Sequence, residues 1–291
     1  VYGGVEVILT LGVFVVSGLG GLLAWGRLGS SLHREPWMKP NYRGQRLVAV
    51  SGMLSVLVAL ASTVSLIVNF QDSLRVKHGM SVLLLLATFC VLGFFDDVSP
   101  QESGGGFIGH LKALLRERKM TSGLFKLVGG LAISAIALVV ADATTTWVQL
   151  IRAVLIVACS ANLLNLFDRA PGRATKVGIV WWVVLVGSVA LWASPSALVS
   201  TAWASAIVGA AVGLMPSELL ERHMQGDSGV NALGAIIGFT TILVASDRIE
   251  WFLLAALLGL NLLSERVSFS SLIARNQVLR RLDNMGSSFP R

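Results

Sequence analysis

Charge is scarce in this chain. Lys and Arg number 23, Asp and Glu 16, and together they make 13% of 291 residues. Soluble domains carry roughly 25%. Here 54% of residues are hydrophobic and the mean hydropathy is +0.75, which excludes an ordinary water-soluble fold. Cysteine is nearly absent: Cys90 and Cys159 both lie in apolar runs. No disulfide framework follows, and without a nearby histidine pair no zinc site does either, so both read as small core residues. His33, His78, His110 and His223 are scattered and suggest no metal cluster, and only His110 and His223 (near Asp227) invite mutation. Internal repeats are lacking, and low complexity is confined to the Gly104-Gly105-Gly106 stretch.

What is abundant is apolar run. Stretches long enough to span a bilayer, about 17–25 residues, occur near 5–26, 47–70, 80–95, 127–141, 148–167, 177–193, 197–215, 227–246 and 249–264. The shorter ones extend into flanking loop residues. The expectation is an all-α polytopic membrane bundle of about nine helices over 1–264, one domain, followed by a basic tail over 265–291. The first run is long and broken by glycine, so it reads as a span rather than a cleaved leader.

A net charge of +7 suggests nucleic acid until its distribution is read. The alternate loops 27–46, 96–126, 168–176 and 216–226 and the tail hold nineteen Lys and Arg, from Arg27, Lys39, Arg43 and Arg46 through Arg169, Arg173 and Lys176 to Arg291. The opposite loops hold three: Arg75, Lys77 and Arg248. The positive-inside rule places the first set and the C-terminus in the cytoplasm and the N-terminus outside. Nucleic acid is not an expected partner; the membrane is. Arg152, near the outer end of its span, most simply snorkels outward.

Two segments read as amphipathic. Phe107, Ile108, Leu111, Leu114 and Leu115 share a helical face beside Lys112, Arg116, Arg118 and Lys119. A tail helix near 271–282 sets Leu272, Ile273, Leu279 and Leu282 against Arg275, Arg280 and Arg281. Both fit a helix lying on anionic headgroups and equally a solvated basic helix packed on the bundle.

Three acidic motifs stand where apolar runs meet the basic loops: Asp96-Asp97, Asn162-x-x-Asn165-x-x-Asp168, and Gly226-Asp227-Ser228-Gly229. Taken singly, each has a plain structural reading. Asp97 can solvate a helix end, the asparagines can bond between helices, and Asp227 or Ser228 can cap a helix. A helix start at Gly226 also offers backbone N–H groups to phosphate. Together, on one face of a lipid-embedded bundle, carboxylates are costly to keep and natural ligands for a hard cation. The arrangement points to chemistry on phosphates.

In order and sidedness these motifs resemble those of the polyprenyl-phosphate N-acetylhexosamine-1-phosphate transferases. That family pattern is an Asp-Asp pair, then Asn-x-x-Asn-x-x-Asp-Gly, then Met-Gly-Asp-x-Gly-Ser. The resemblance runs over nearly the whole chain. It implies transfer of a sugar-1-phosphate, of the HexNAc-1-phosphate type, from a nucleotide-sugar to a polyprenyl phosphate lipid. The site would face the cytoplasm at the inner (plasma) membrane and use Mg²⁺, and the protein could form a homodimer. It also implies that Asp227, with Asp97, binds the metal. Asp96 or Asp97 would position or deprotonate the lipid phosphate. Asn162, Asn165 and Asp168 would hold the nucleotide side, and Ser228 and the loop cations Lys39 and Arg43 would contact substrate. Arg169, Arg173 and Lys176 read either as a clamp on the phosphates of an altered donor or as cations snorkelling toward headgroups.

Four departures mark a divergent member. Arg169 follows Asp168 where the family has glycine. Gln225 is extra and Val230 replaces the usual serine. Glu265-Arg266-Val267-Ser268-Phe269-Ser270 stands where a His-x-His motif belongs, and a tenth span is missing. The metal-and-lipid half is kept; the sugar-nucleotide half is altered. Two other readings stay open: a non-catalytic relative acting as a membrane partner in envelope assembly, and a transporter, which would want charges near mid-membrane.

Overall fold

The computed structural model describes residues 3–99 and 122–289. The expected amphipathic segment of 107–119, with His110, lies outside them. The order is α1 Gly3–Leu28, a 3₁₀ turn Gly29–Leu32, strands β1 Met38–Pro40 and β2 Arg46–Val48, α2 Gly52–Asn69, and α3 Ser73–Val98. Then come α4 Ser122–Val140, α5 Trp147–Phe167, α6 Arg173–Trp192, α7 Pro195–Ser200, α8 Ala202–Leu219 and α9 Asp227–Val244. Last are α10 Asp247–Ser264, α11 Phe269–Arg275 and α12 Gln277–Asn284.

Among the described residues, 8 helices are long and apolar enough to cross a membrane, α7 and α8 counting as one; a ninth forms if α10 and α11, bent by 90°, are taken together. This is a multi-pass membrane protein. The apolar runs locate each span to within a few residues. The expected all-helical character has one exception, the antiparallel hairpin of β1 and β2. Its cause is local: the Asn41 side-chain oxygen Oδ1 takes the N–H of Arg43 and of Gln45, both at 2.9 Å, and Gly44 supplies a positive φ of 77°, the chemistry of a tight turn. Leu47 and Val48, placed by the apolar run in a span, therefore belong to a strand.

The centre of the bundle is α9, buried at every position from Ser228 to Ile242. It packs on α5, α3, α8, α2 and α6. Such enclosure needs small residues, because lipid offers no hydrophobic drive between helices and packing must supply the affinity. At Gly234 any β-carbon would strike the carbonyl of Ser160 on α5. In the pair α1 and α8, Gly21, Gly209 and Gly213 have equally little room, a β-carbon at each striking a main-chain carbonyl of the other helix. The outer faces are apolar and open, as at Val5, Ile8, Val180, Leu191 and Phe252.

Two expectations need correction. The tail helix near 271–282 is two helices, broken at Asn276, whose side chain caps the second by accepting the N–H of Val278 and Leu279. Arg152 does not snorkel. It is 3% exposed, donates to Glu250 at 2.8 Å and to Asp247 at 2.5 Å, and so ties α5 to α10.

Candidate active site

The ends of α3, α5 and α8 and the starts of α4, α6 and α9 come together at one end of the bundle. What gathers them is the start of α9. Gly226 adopts φ 71°, a left-handed conformation natural only to glycine. A β-carbon there would collide with the Ala49 carbonyl and lie 2.7 Å from an Asp97 oxygen. Its own N–H and the next two are then taken by carboxylates from elsewhere. Gly226 donates to Asp168 at 3.2 Å. Asp227 donates to one oxygen of Asp97 at 3.0 Å and Ser228 to the other at 2.9 Å.

This overturns one expectation. The N–H groups at the head of α9 do not stand open to a phosphate; Asp97 and Asp168 already cap them, reaching in from α3 and from the end of α5. Asp97, buried at 6% exposure, has both oxygens engaged as a helix cap.

The carboxylate that shares a cation with Asp227 is Asp96. Lys126, the only charged residue of α4, donates from its ammonium to Asp227 and, at 3.1 Å, to Asp96. Asn165 donates to the same Asp227 oxygen at 2.9 Å. Lys39, just beyond the first strand residue, donates to the main-chain carbonyl of Asp96 at 3.3 Å. In the sequence Lys126 reads only as the last cation of the loop 96–126. Its signal was available: a single cation inside an otherwise uncharged span is expensive unless partnered.

Beside Asp168 opens a cavity of about 280 Å³ lined by Asn41, Tyr42, Asp168, Arg169, Pro171 and Glu218 among others. Burial pushes the Asp168 carboxyl up to about 8, and the charges of Glu218 and Asp227 add to it. At neutral pH it is therefore largely protonated and carries a donor as well as an acceptor. Glu218, 2% exposed, accepts from the Gly172 N–H at 2.9 Å and from Gln225 at 3.3 Å. Gln225 also donates to Thr175, so the extra residue of the third motif ties the site loop to α6. Neither Glu218 nor Tyr42 was singled out from sequence; an acid at a helix end in a loop-facing position carries no pattern of its own.

Asp96, Asp97, Asn165, Asp168, Asp227, Ser228 and Lys39 thus converge, and Arg169 borders the cavity. Four expected residues do not join them. Asn162 bonds to Asn261 of α10 at 2.6 Å, the interhelical role open to it. Arg43 pairs with Glu221 at 3.1 Å and lies over the Phe289 ring. Arg173 is buried in a two-pronged bond to Asp283, 2.8 Å on each side, and donates to Ser270 at 2.8 Å. Lys176 donates to the carbonyls of Leu282 and Asp283. Arg173 and Lys176 hold the tail; their guanidinium and ammonium are not presented to a donor phosphate.

No family model matches this chain, and no curated protein matches it.

The Mg²⁺ expected from the resemblance can be tested against these donors. Among the described residues no three or more His, Cys, Asp or Glu side chains form a metal-holding group. Yet Asp96 and Asp227 aim oxygens at one point, and the Lys126 ammonium fills it as a stand-in cation. Magnesium is commonly bound through one or two carboxylates, with water and substrate phosphates completing the shell. The chemistry of the Asp96 and Asp227 pair fits such a site.

Proposed function

We propose that this protein is a Mg²⁺-dependent phosphoglycosyl transferase. It passes a sugar-1-phosphate, of the HexNAc-1-phosphate class, from a UDP-sugar to a polyprenyl phosphate, and so begins a cell-envelope glycan. The observation that carries the reading is the convergence of four aspartates from three distant motifs at the head of α9, Asp96 and Asp227 on the Lys126 ammonium and Asp97 and Asp168 on the N–H groups that open the helix. The nineteen-to-three bias of basic residues supports placing that end in the cytoplasm at the plasma membrane, with the N-terminus outside.

In this reaction an oxygen of the lipid phosphate attacks the sugar-proximal phosphorus. The bond from that phosphorus to the bridging oxygen breaks, and UMP leaves with the electron pair. Two anions must approach, so positioning and charge compensation supply most of the catalysis. Asp96 and Asp227 would hold Mg²⁺, which supplies charge neutralisation to the phosphates when bound. Lys126 and Lys39 are the chain's own cations at the same place. Asn165 fixes the rotamer of Asp227. Asp97 fixes the start of α9 that carries Asp227, so its role is positioning. Asp168, protonated at neutral pH, borders the cavity in which the nucleotide would lie.

One observation favours a second reading. The three N–H groups opening α9 are all taken by the carboxylates of Asp97 and Asp168, which is what a retired site held for architecture would also show. The deciding experiment is UMP release by purified protein with undecaprenyl phosphate, Mg²⁺ and a panel of UDP-sugars. Release with one sugar, lost in Asp227→Ala, supports the transferase. Folded protein that stays silent across the panel refutes it and leaves the non-catalytic relative.

A further inference from the structure

Among the described residues, nothing covers one apolar face of the tail. On α12, Val278, Leu279 and Leu282 fall on one side by helical spacing and are 65%, 44% and 51% exposed, and Met285 just beyond is 64% exposed. Arg280 and Arg281 occupy the opposite half, with Arg275 at the end of α11. A helix in bulk water gains nothing from displaying such a face; one lying in a membrane interface does.

Its depth is set by what holds it. Asp283 is buried against Arg173, the first residue of α6, by two bonds of 2.8 Å. Lys176, one turn further along α6, donates to the Leu282 and Asp283 carbonyls. The N–H of Ser288 donates to the carbonyl of Leu219, the last residue of α8, at 3.2 Å. The tail is thus fastened where spans end, the level at which hydrocarbon gives way to headgroups. The 90° turn from α10 into α11 takes the chain from the span direction into the membrane plane.

We infer that α11 and α12 form an in-plane anchor docked on anionic lipid headgroups around the bundle. Val278, Leu279, Leu282 and Met285 enter the acyl boundary, and Arg275, Arg280 and Arg281 meet lipid phosphates. The occupant is lipid rather than a second protein because the exposed face is paired with three cations of one sign, and a negatively charged bilayer surface supplies both complements at once. The inference does not depend on the transferase reading.

The test uses the full chain in nanodiscs, with Leu279→Cys carrying an environment-sensitive fluorophore and identically treated wild type as background for Cys90 and Cys159. Doxyl-labelled lipid should quench the probe, more strongly in discs containing phosphatidylglycerol than in phosphatidylcholine alone. Replacing Arg275, Arg280 and Arg281 by Gln, one at a time, should lower the docked-to-undocked ratio in the anionic discs by about fivefold each. Water-like emission without quenching in both lipids would overturn the proposal. So would a probe shielded from water yet unquenched, which would put protein, not lipid, on this face.

Discussion

Lys126 of α4 donates its ammonium to Asp227, the first residue of α9 and 101 positions away in the chain. The same ammonium serves Asp96 at 3.1 Å, so a single cation reconciles two carboxylates from separate motifs. Lys126→Met keeps the apolar stem and removes the charge. In the absence of divalent metal this should destabilise the protein by about 2 kcal/mol, since unpaired buried acids are costly. Affinity for Mn²⁺ should rise at least about tenfold, because the competing cation is gone. Isothermal titration in detergent checks this without any turnover. Weaker metal binding in the variant would instead make Lys126 part of the metal's support.

Asp97 predicts a different signature. Both oxygens cap α9, taking the N–H of Asp227 and Ser228, so Asp97→Asn sets an amide N–H₂ against one of those donors. The expected loss is about 1–2 kcal/mol, the cost of a lost cap and an unmet buried donor. Thermal unfolding in detergent reads it. Asp227→Asn should cost less, because its carboxyl serves Lys126 and Asn165 but caps nothing. Equal losses at the two positions would contradict the division of labour drawn between them.

These two aspartates also show what the sequence could and could not disclose. The spans were legible because a bilayer demands long apolar runs, and the sidedness because cations gather on one side. The motif acids were legible because charge at the end of a span is costly. What a carboxylate does there depends on partners far off in the chain. Asp97 meets residues 130 and 131 positions away, and Arg173 meets Asp283 across 110. Arg173 and a phosphate clamp look alike in sequence because a guanidinium forks onto either anion equally well. The hairpin at 38–48 was hidden because its two strands have only three residues each.

Arg152 provides the third prediction. Its guanidinium is 3% exposed and its partner Glu250 6%, with Asp247 at the rim and the Trp251 ring 5.1 Å from the charge centre. Arg152→Leu strands Glu250 without its main partner and should cost about 3–5 kcal/mol. Arg152→Leu combined with Glu250→Leu removes both buried charges and should recover most of that loss. Chemical unfolding of the two variants in the same detergent decides it. If the double variant were no better than the single one, the pair would be holding α5 to α10 by shape rather than by charge.

His223 gives the pH dependence. Its ring is fully buried, with Nδ1 2.6 Å from the Ser51 hydroxyl and Nε2 2.9 Å from the Ser217 hydroxyl. Both hydroxyls also donate to main-chain carbonyls, Ser51 to Met224 at 2.6 Å and Ser217 to Leu214 at 2.9 Å. Burial pushes the imidazole down to about 3. Between about 6.5, the ordinary histidine value, and 3 the unfolded chain holds a proton that the native chain does not. This contribution to stability is therefore complete above pH 6.5 and is lost as pH falls toward 3, by up to about 1.4 kcal/mol per unit. Asp168, raised to about 8, contributes the opposite slope, stability falling as pH rises from about 4 to 8. The wild-type profile alone is therefore a sum. Subtracting the profile of His223→Gln isolates the imidazole. That difference should be flat above pH 6.5 and should shrink steadily below it; a difference that stays constant down to pH 4 would mean the native ring accepts the proton after all.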